Sequence, residues 1–231
     1  MRLPVRILVL SLGLAWAGAS AQDGSSGSAL RILSWNISSD AFAAEAGEFQ
    51  ALAGWADPDI VLLDEVSPAV DIERLREALD RFEPGTKQPW YISTGKSGGR
   101  QRGVIASRAP QENVPELSGI VPYPDDERRT LLSMMPAGDL DDRNWSMDGG
   151  IPVNAAIIET NDRRLLAIIA DLQCCGDGPD SWHEHRRRVE AAEIRRRAVL
   201  VLERTDVDGI ILAGDFNVVN GPAPLDLLAG P

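Results

Sequence analysis

Near its C-terminal end the chain reads Gly209-Ile210-Ile211-Leu212-Ala213-Gly214-Asp215-Phe216-Asn217. An apolar run that meets Gly and polar residues predicts a buried strand followed by a loop. Asp215 and Asn217 are two positions apart, so an extended backbone directs both side chains to one side. A carboxylate beside a carboxamide suits a hard divalent cation that carries a phosphate. The competing interpretation is an Asp that only hydrogen-bonds its own loop.

Two earlier segments also predict a strand that ends at polar side chains. Residues 30–37 alternate apolar and polar side chains and predict a strand that ends near Asn36. Residues 59–63 form a continuous apolar run, typical of a strand buried on both faces, and end at Asp64 and Glu65. Each polar residue could also be an ordinary turn or surface group.

The remaining pattern mixes helices and strands. Helical spacing predicts helices in the ranges 42–53, 67–79 and 181–204, the second with Ile72 on its inner face. Strands are predicted at 90–93, 103–107, 129–134, 153–160 and 164–172, with the rest of the acidic segment 123–150 as a long loop. This mixture predicts an α/β fold in which two sheets form a sandwich flanked by helices.

The first residues predict an exported protein. Residues 1–21 have a basic start, an apolar run and an Ala-Ser-Ala exit, which is the layout of a cleavable secretory signal. A first core strand is the alternative for this run. Residues 22–28 then predict a flexible linker, and residues 29–231 a single domain. We expect the product to be secreted or periplasmic and monomeric, without a transmembrane segment.

Charge limits the choice of partners. The formal net charge is −12, and removal of Arg2 and Arg6 with the signal would take it to −14. Such a surface does not attract polyanions by bulk charge, which excludes an unspecific basic nucleic-acid binder. A nuclease that relies on local arginines and a metal ion is not excluded. The arginine triplets 186–188 and 195–197 encircle the long helix, however, and predict a solvated surface.

The two cysteines, Cys174 and Cys175, are adjacent. Neighbouring Cα atoms lie about 3.8 Å apart, shorter than the usual disulfide range. We therefore expect two free thiols, with a distorted vicinal disulfide as the alternative.

The strand ends that carry Asn36, Glu65 and Asp215, together with the segment Arg102-Gly103-Val104-Ile105-Ala106-Ser107-Arg108, resemble the endonuclease/exonuclease/phosphatase superfamily. The order of these motifs is more specific than any one of them. The resemblance covers residue 30 to the end. It implies a two-sheet sandwich with the site at one end of the sheets.

The resemblance also implies roles for individual residues. Glu65 would bind Mg²⁺ or Mn²⁺, with Asn36 beside it and Asp215 as a further metal ligand. Asp215 and Asn217 would orient the nucleophilic water and hold the phosphate, and Asn36 would belong to the catalytic group. Arg108, at the end of the family-like segment, is assigned with Asn217 to substrate binding.

Two departures from the family pattern stand out. Asp171 occupies the place of a family histidine, and it could act as an acid, serve as another metal ligand, or mark a lost catalytic group. The family also has a Ser-Asp-His signature on a later strand, whereas this sequence ends at Pro231. We expect a fragment whose last strand or strands are missing, because loss of an inner strand would leave unpaired edges.

The predicted function is hydrolysis of phosphate esters by an exported, metal-dependent phosphodiesterase, with nucleic acid as the first candidate substrate. A phospholipid phosphodiesterase of sphingomyelinase type is the alternative, and Trp145 is its only candidate for membrane contact. An exported binding module without activity is the third possibility.

Overall fold

The computed structural model describes residues 7–9, 29–39, 46–80, 89–135, 147–160, 162–176 and 178–230. Its strands are β1 (Ile7–Val9), β2 (Ile32–Ser39), β3 (Ile60–Val66), β4 (Tyr91–Thr94), β5 (Arg102–Ser107), β6 (Gln111–Asn113), β7 (Val153–Thr160), β8 (Arg163–Asp171) and β9 (Gly209–Asp215). Its helices are α1 (Ala46–Ala56), α2 (Ile72–Asp80), α3 (Pro115–Ser118), α4 (Asp125–Met134), α5 (Trp182–Arg204) and α6 (Ala223–Ala229).

The strands form two sheets, which confirms the predicted α/β sandwich. One sheet has the order β1-β9-β8-β7-β6, and the other has the order β2-β3-β5-β4. β2 and β3 run parallel, and so do β8 and β9, whereas β5 runs antiparallel to β3. β7 and β8, both predicted as strands, pair antiparallel, with Val153 opposite Ala170.

Alternation along the strands separates the core into layers. Ile60 and Leu62 of β3 pack with side chains of β7, β8 and β9 in the layer between the sheets. Val61 and Leu63 point the other way and pack with Leu75 of α2. All four β3 side chains are buried, as the continuous apolar run predicted, because successive residues of a strand face opposite sides.

Several elements differ from the predictions. Residues 129–134 belong to helix α4 and not to a strand, and the helix begins with Asp125, Asp126 and Glu127. Acidic residues in a first turn stabilise the positive end of a helix dipole. Ile72, which was predicted on the inner face, is the first residue of α2 and is exposed, whereas Leu75 and Leu79 of the same helix are buried.

The N-terminal residues 7–9 form a strand within the segment predicted as a signal. β1 pairs in parallel with β9, with Ile7 opposite Ile210 and Val9 opposite Leu212. This placement corresponds to the alternative of a core strand. The rest of the predicted signal and the linker 22–28 lie outside the described residues. Among the described helices, none has the length and apolarity needed to cross a membrane.

Candidate active site

Three strand ends from both sheets meet at the side chain of Asn36. Its Nδ2 donates to Glu65 Oε1 at 2.9 Å and to Asp215 Oδ2 at 3.2 Å. Asn36 and Glu65 come from the sheet of β2 and β3, whereas Asp215 ends β9 in the opposite sheet. Parallel strands present their carboxyl ends at the same edge, which explains why sequence positions so far apart converge.

The backbone of β3 directs Glu65 into this site. Glu65 has a φ of 56°, and the pairing of β3 with β5 shifts register between Leu63 and Val66. A left-handed residue inside a strand re-aims its side chain, as a β-bulge does. The second carboxylate oxygen, Oε2, accepts a hydrogen bond from Gln101 Nε2 at 3.1 Å.

Gln101 was not predicted from the sequence. It lies just before β5, in a loop with no recognisable motif, and only the antiparallel pairing of β3 with β5 brings it to Glu65. Two amide side chains, those of Asn36 and Gln101, therefore hold the two oxygens of one carboxylate.

A tight turn after β9 places Asn217. Its φ is 46°, its main-chain N–H donates to Asp215 Oδ1 at 2.9 Å, and its Nδ2 donates to the carbonyl of Leu172 at 2.7 Å. The same Nδ2 lies 3.4 Å from Asp171 Oδ1. Phe216, between the two polar residues, is buried and anchors the turn in the core.

Two further carboxyl groups lie against this cluster with raised pKa values. Burial raises the pKa of Asp171 to about 8, and the charges of Asp64, Glu65 and Asp215 add to the increase. Burial also raises the pKa of Asp64 to about 7, where main-chain N–H groups of Asp215 and Asp64 oppose the increase. Carboxyl groups so close together cannot all ionise without a compensating cation.

The residues of the site fit a hard divalent cation. Carboxylate and amide oxygens are the ligands that such ions prefer. Asp64 is only 1% exposed, and in the described part of the chain neither of its carboxylate oxygens has a hydrogen bond of standard geometry. Among the described residues, however, no group of three or more His, Cys, Asp or Glu side chains is arranged as a preformed metal-binding site.

The structure does not bring Arg108, which was predicted to bind substrate, together with the other predicted site residues. Arg108 follows the carboxyl end of β5, where Ser107 pairs with Ile60 at the start of β3. Because β5 is antiparallel to β3, Arg108 lies at the opposite end of the sheet, roughly 16 Å along the strand from Glu65. Its guanidinium carbon lies 3.9 Å from the ring centre of Trp90.

Asn36, Glu65 and Asp215 thus lie together in the structure, in the order along the chain that resembles a known family. The sequence model of the Endonuclease/Exonuclease/phosphatase family matches residues 33–230. The chain belongs to this family. Its members are hydrolases of phosphate esters and typically use divalent metal ions. No curated protein matches the chain.

Solved structures with the same fold include nucleic-acid enzymes and a bacterial toxin. D. rerio TDP2 complexed with a single-strand DNA product has 17% identity and a TM-score of 0.51, over 87% of this chain and 65% of its own. Beta toxin from Staphylococcus aureus has 17% identity and a TM-score of 0.52, over 87% and 70%. A family protein from Leptotrichia buccalis has 13% identity and a TM-score of 0.50, over 87% and 73%. The chain thus spans less than two thirds of the length of D. rerio TDP2.

Proposed function

We propose that this chain is a divalent-cation-dependent phosphodiesterase with nucleic acid as its first candidate substrate. The observation that carries the proposal is the contact of Asn36 with both Glu65 and Asp215. This contact joins the two sheets at one point and surrounds it with carboxylate and amide oxygens. Family membership supplies the class of reaction.

The side chains divide the work of hydrolysis between them. Glu65 and Asp215, with Asn36, would hold a cation such as Mg²⁺ or Mn²⁺. When bound, the cation neutralises charge on a phosphoryl oxygen and stabilises the leaving group. The Asp215 carboxylate would orient a water molecule or accept its proton. The Asn217 amide, which donates to the Leu172 carbonyl, would hold the phosphate.

Two observations bear on the substrate. Lys96 and Arg100 are exposed in the loop that carries Gln101, so positive charge lies near the site although the chain is acidic overall. This local charge favours a polyanion. D. rerio TDP2, which shares the fold, was solved with a single-strand DNA product.

A lipid phosphodiester is the second candidate because of an apolar pair beside Asn217. Val218 and Val219 follow directly and are exposed, Val219 at 54%. An exposed apolar pair beside a phosphate site suits an acyl or other apolar substituent. Trp145, the residue predicted for membrane contact, lies outside the described residues. We also propose that the protein is exported, because residues 1–21 have the layout of a secretory signal. The pairing of residues 7–9 with β9 favours the alternative of a core strand.

Hydrolysis of bis(p-nitrophenyl) phosphate, single-stranded DNA and sphingomyelin, each with Mg²⁺, Mn²⁺ or EDTA, tests the proposal. We expect turnover that needs the metal and falls at least about 10³-fold in Glu65→Gln. Glu159→Gln, a matched change of an exposed carboxylate at the end of β7, should retain wild-type rates. Absence of metal-dependent turnover on all three substrates would refute the proposal.

A further inference from the structure

Helix α5 buries charged side chains that the sequence analysis assigned to a solvated surface. Arg187 and Glu190 are both 0% exposed, and Arg186 is buried as well. The prediction of a solvated surface for the triplet 186–188 was therefore wrong for two of its three members. Burial of a charge is costly unless it is paired and hydrogen-bonded, so the partners of these groups explain their place in the fold.

The partners of Arg187 are main-chain carbonyls outside its own helix. Its Nε donates to the carbonyl of Gln173 at 2.8 Å, and its Nη2 donates to the carbonyl of Cys175 at 2.7 Å. Its Nη1 forms an ion pair with the buried Glu184 one turn earlier. The planar guanidinium thus bridges two carbonyls of one segment while its charge is neutralised within the helix.

Glu190 binds the same segment from the next turn of α5. Its Oε2 accepts a hydrogen bond from the main-chain N–H of Gln173 at 2.7 Å. Its Oε1 accepts from Arg186 Nε at 2.9 Å and from the hydroxyl of Tyr123, and Arg186 Nε also donates to that hydroxyl at 2.8 Å. Arg187 and Glu190 together hold both the N–H and the carbonyl of Gln173.

The segment that they hold connects directly to the candidate active site. Gln173 follows Leu172, whose carbonyl accepts the hydrogen bond from Asn217 at 2.7 Å. The main-chain N–H of Leu172 donates to the carbonyl of Asp215 at 2.8 Å. The Gln173 N–H that binds Glu190 and the Leu172 carbonyl that binds Asn217 therefore belong to the same peptide group, one residue after Asp171.

We propose that Arg187 and Glu190 are positioning residues, which hold residues 172–175 so that Asn217 and Asp171 meet the phosphate. The proposal rests on the phosphodiesterase function above. Their hydrogen bonds reach Asn217 and Asp171 only through the main chain of residues 172–175. The charge of Glu190 also contributes to the raised pKa of Asp171, so hydrogen exchange of the segment is the readout that reports positioning alone. A displacement of about 1 Å at a reacting group can reduce the rate roughly 10²-fold.

The same helix provides a matched control. Glu193 is also buried, and it binds Arg196 at 2.7 Å and Arg197 at 2.7 Å. Arg197 in turn donates to the carbonyl of Glu116 in α3 at 3.0 Å, and not to the segment after β8. Glu193→Gln therefore perturbs a buried ion pair of α5 without contact to residues 172–175.

The test compares Arg187→Lys, Glu190→Gln and Glu193→Gln with the wild type. Lysine keeps the charge at position 187 but lacks the planar fork that donates to two carbonyls and to Glu184 at once, and glutamine at 190 cannot accept on both sides as the carboxylate does. Steady-state kinetics with bis(p-nitrophenyl) phosphate and saturating Mn²⁺ give kcat and KM. Hydrogen exchange of peptides that cover residues 170–176 reports the segment itself, without any need for turnover.

We expect kcat to fall roughly 10²-fold in Arg187→Lys and Glu190→Gln with KM changed less than about threefold. Exchange in residues 170–176 should accelerate in these two variants and not in Glu193→Gln, which should keep its kcat within about threefold. If Arg187→Lys fails to fold, Glu190→Gln alone tests the positioning role. Equal loss of kcat in Glu193→Gln, or unchanged exchange in the other two variants, would overturn the positioning role. A wild type without metal-dependent turnover would overturn the proposed function first, and the positioning role with it.

Discussion

Asp171 should make the metal-free protein less stable as the pH rises. Its pKa is raised by burial and by neighbouring carboxylates from 3.8 to about 8. Between these two values the folded state keeps a proton that the unfolded state has lost, so the free energy of unfolding decreases with pH. The contribution of Asp171 is fully present below about pH 4 and is lost as the pH passes through about 8.

The size of the effect follows from the width of this window. One pKa unit corresponds to about 1.36 kcal/mol, so the interval from pH 5 to pH 8 allows at most about 4 kcal/mol. The Asp171 side chain is partly exposed, so solvent screening reduces the penalty. We expect a loss of about 2 kcal/mol over this interval from Asp171. Asp64, with a pKa of about 7, changes in the same direction.

The assay is urea unfolding in EDTA at pH 5, 6, 7 and 8. Asp171→Asn removes the titration with little change of shape, so its stability should fall by about 2 kcal/mol less than that of the wild type between pH 5 and 8. The exposed-site variant Glu159→Gln should follow the wild type. Parallel pH curves for wild type and Asp171→Asn would refute the argument that burial holds a proton on Asp171. A divalent cation should restore more stability at pH 8 than at pH 5, since metal ligands must be deprotonated.

Three further predictions follow from individual contacts. Gln101→Ala should weaken Mn²⁺ affinity by about 10- to 100-fold in a calorimetric titration, because it removes one of the two amides that hold the Glu65 carboxylate. Its control is Arg108→Ala, at the opposite end of the sheet, which should leave affinity and kcat/KM within about twofold. A larger loss would contradict the position of Arg108 away from the site. Gly214→Ala should abolish soluble expression or native circular dichroism, because an added Cβ would lie 2.0 Å from the carbonyl oxygen of Ala170 and the φ of 125° disfavours any side chain. Phe216→Ala should lower the free energy of unfolding by about 3–5 kcal/mol in urea titrations, and a loss below about 1 kcal/mol would contradict its anchoring of the turn.

The sequence predicted most of the candidate site because the site is built from strand ends. Glu65 and Asp215 come after apolar runs, and Asn36 lies in an alternating segment. Both patterns predict strands, and the carboxyl ends of parallel strands meet at one edge of a sheet. Asn217 follows from its spacing to Asp215. For these four residues, the local sequence pattern and the fold class therefore predict the same position in the structure.

The sequence did not reveal the environment of groups that are positioned by distant parts of the main chain. Arg108 ends a strand like the others, but the direction of β5 relative to β3 cannot be read from that strand alone. Arg187 belongs to a triplet that looks solvated, and it is buried because the carbonyls of Gln173 and Cys175 satisfy it. Gln101 has no local pattern that sets it apart from other loop residues.

The amide of Asn36 donates hydrogen bonds to carboxylates of both sheets, Glu65 in its own sheet and Asp215 in the other. A slip of one layer past the other by a single residue would separate the oxygens it joins by several ångströms. The proposed hydrolytic activity should therefore depend strongly on how the two sheets pack against each other. Expanded states that keep their strands but have lost fixed packing should be inactive, even where secondary structure looks native by circular dichroism.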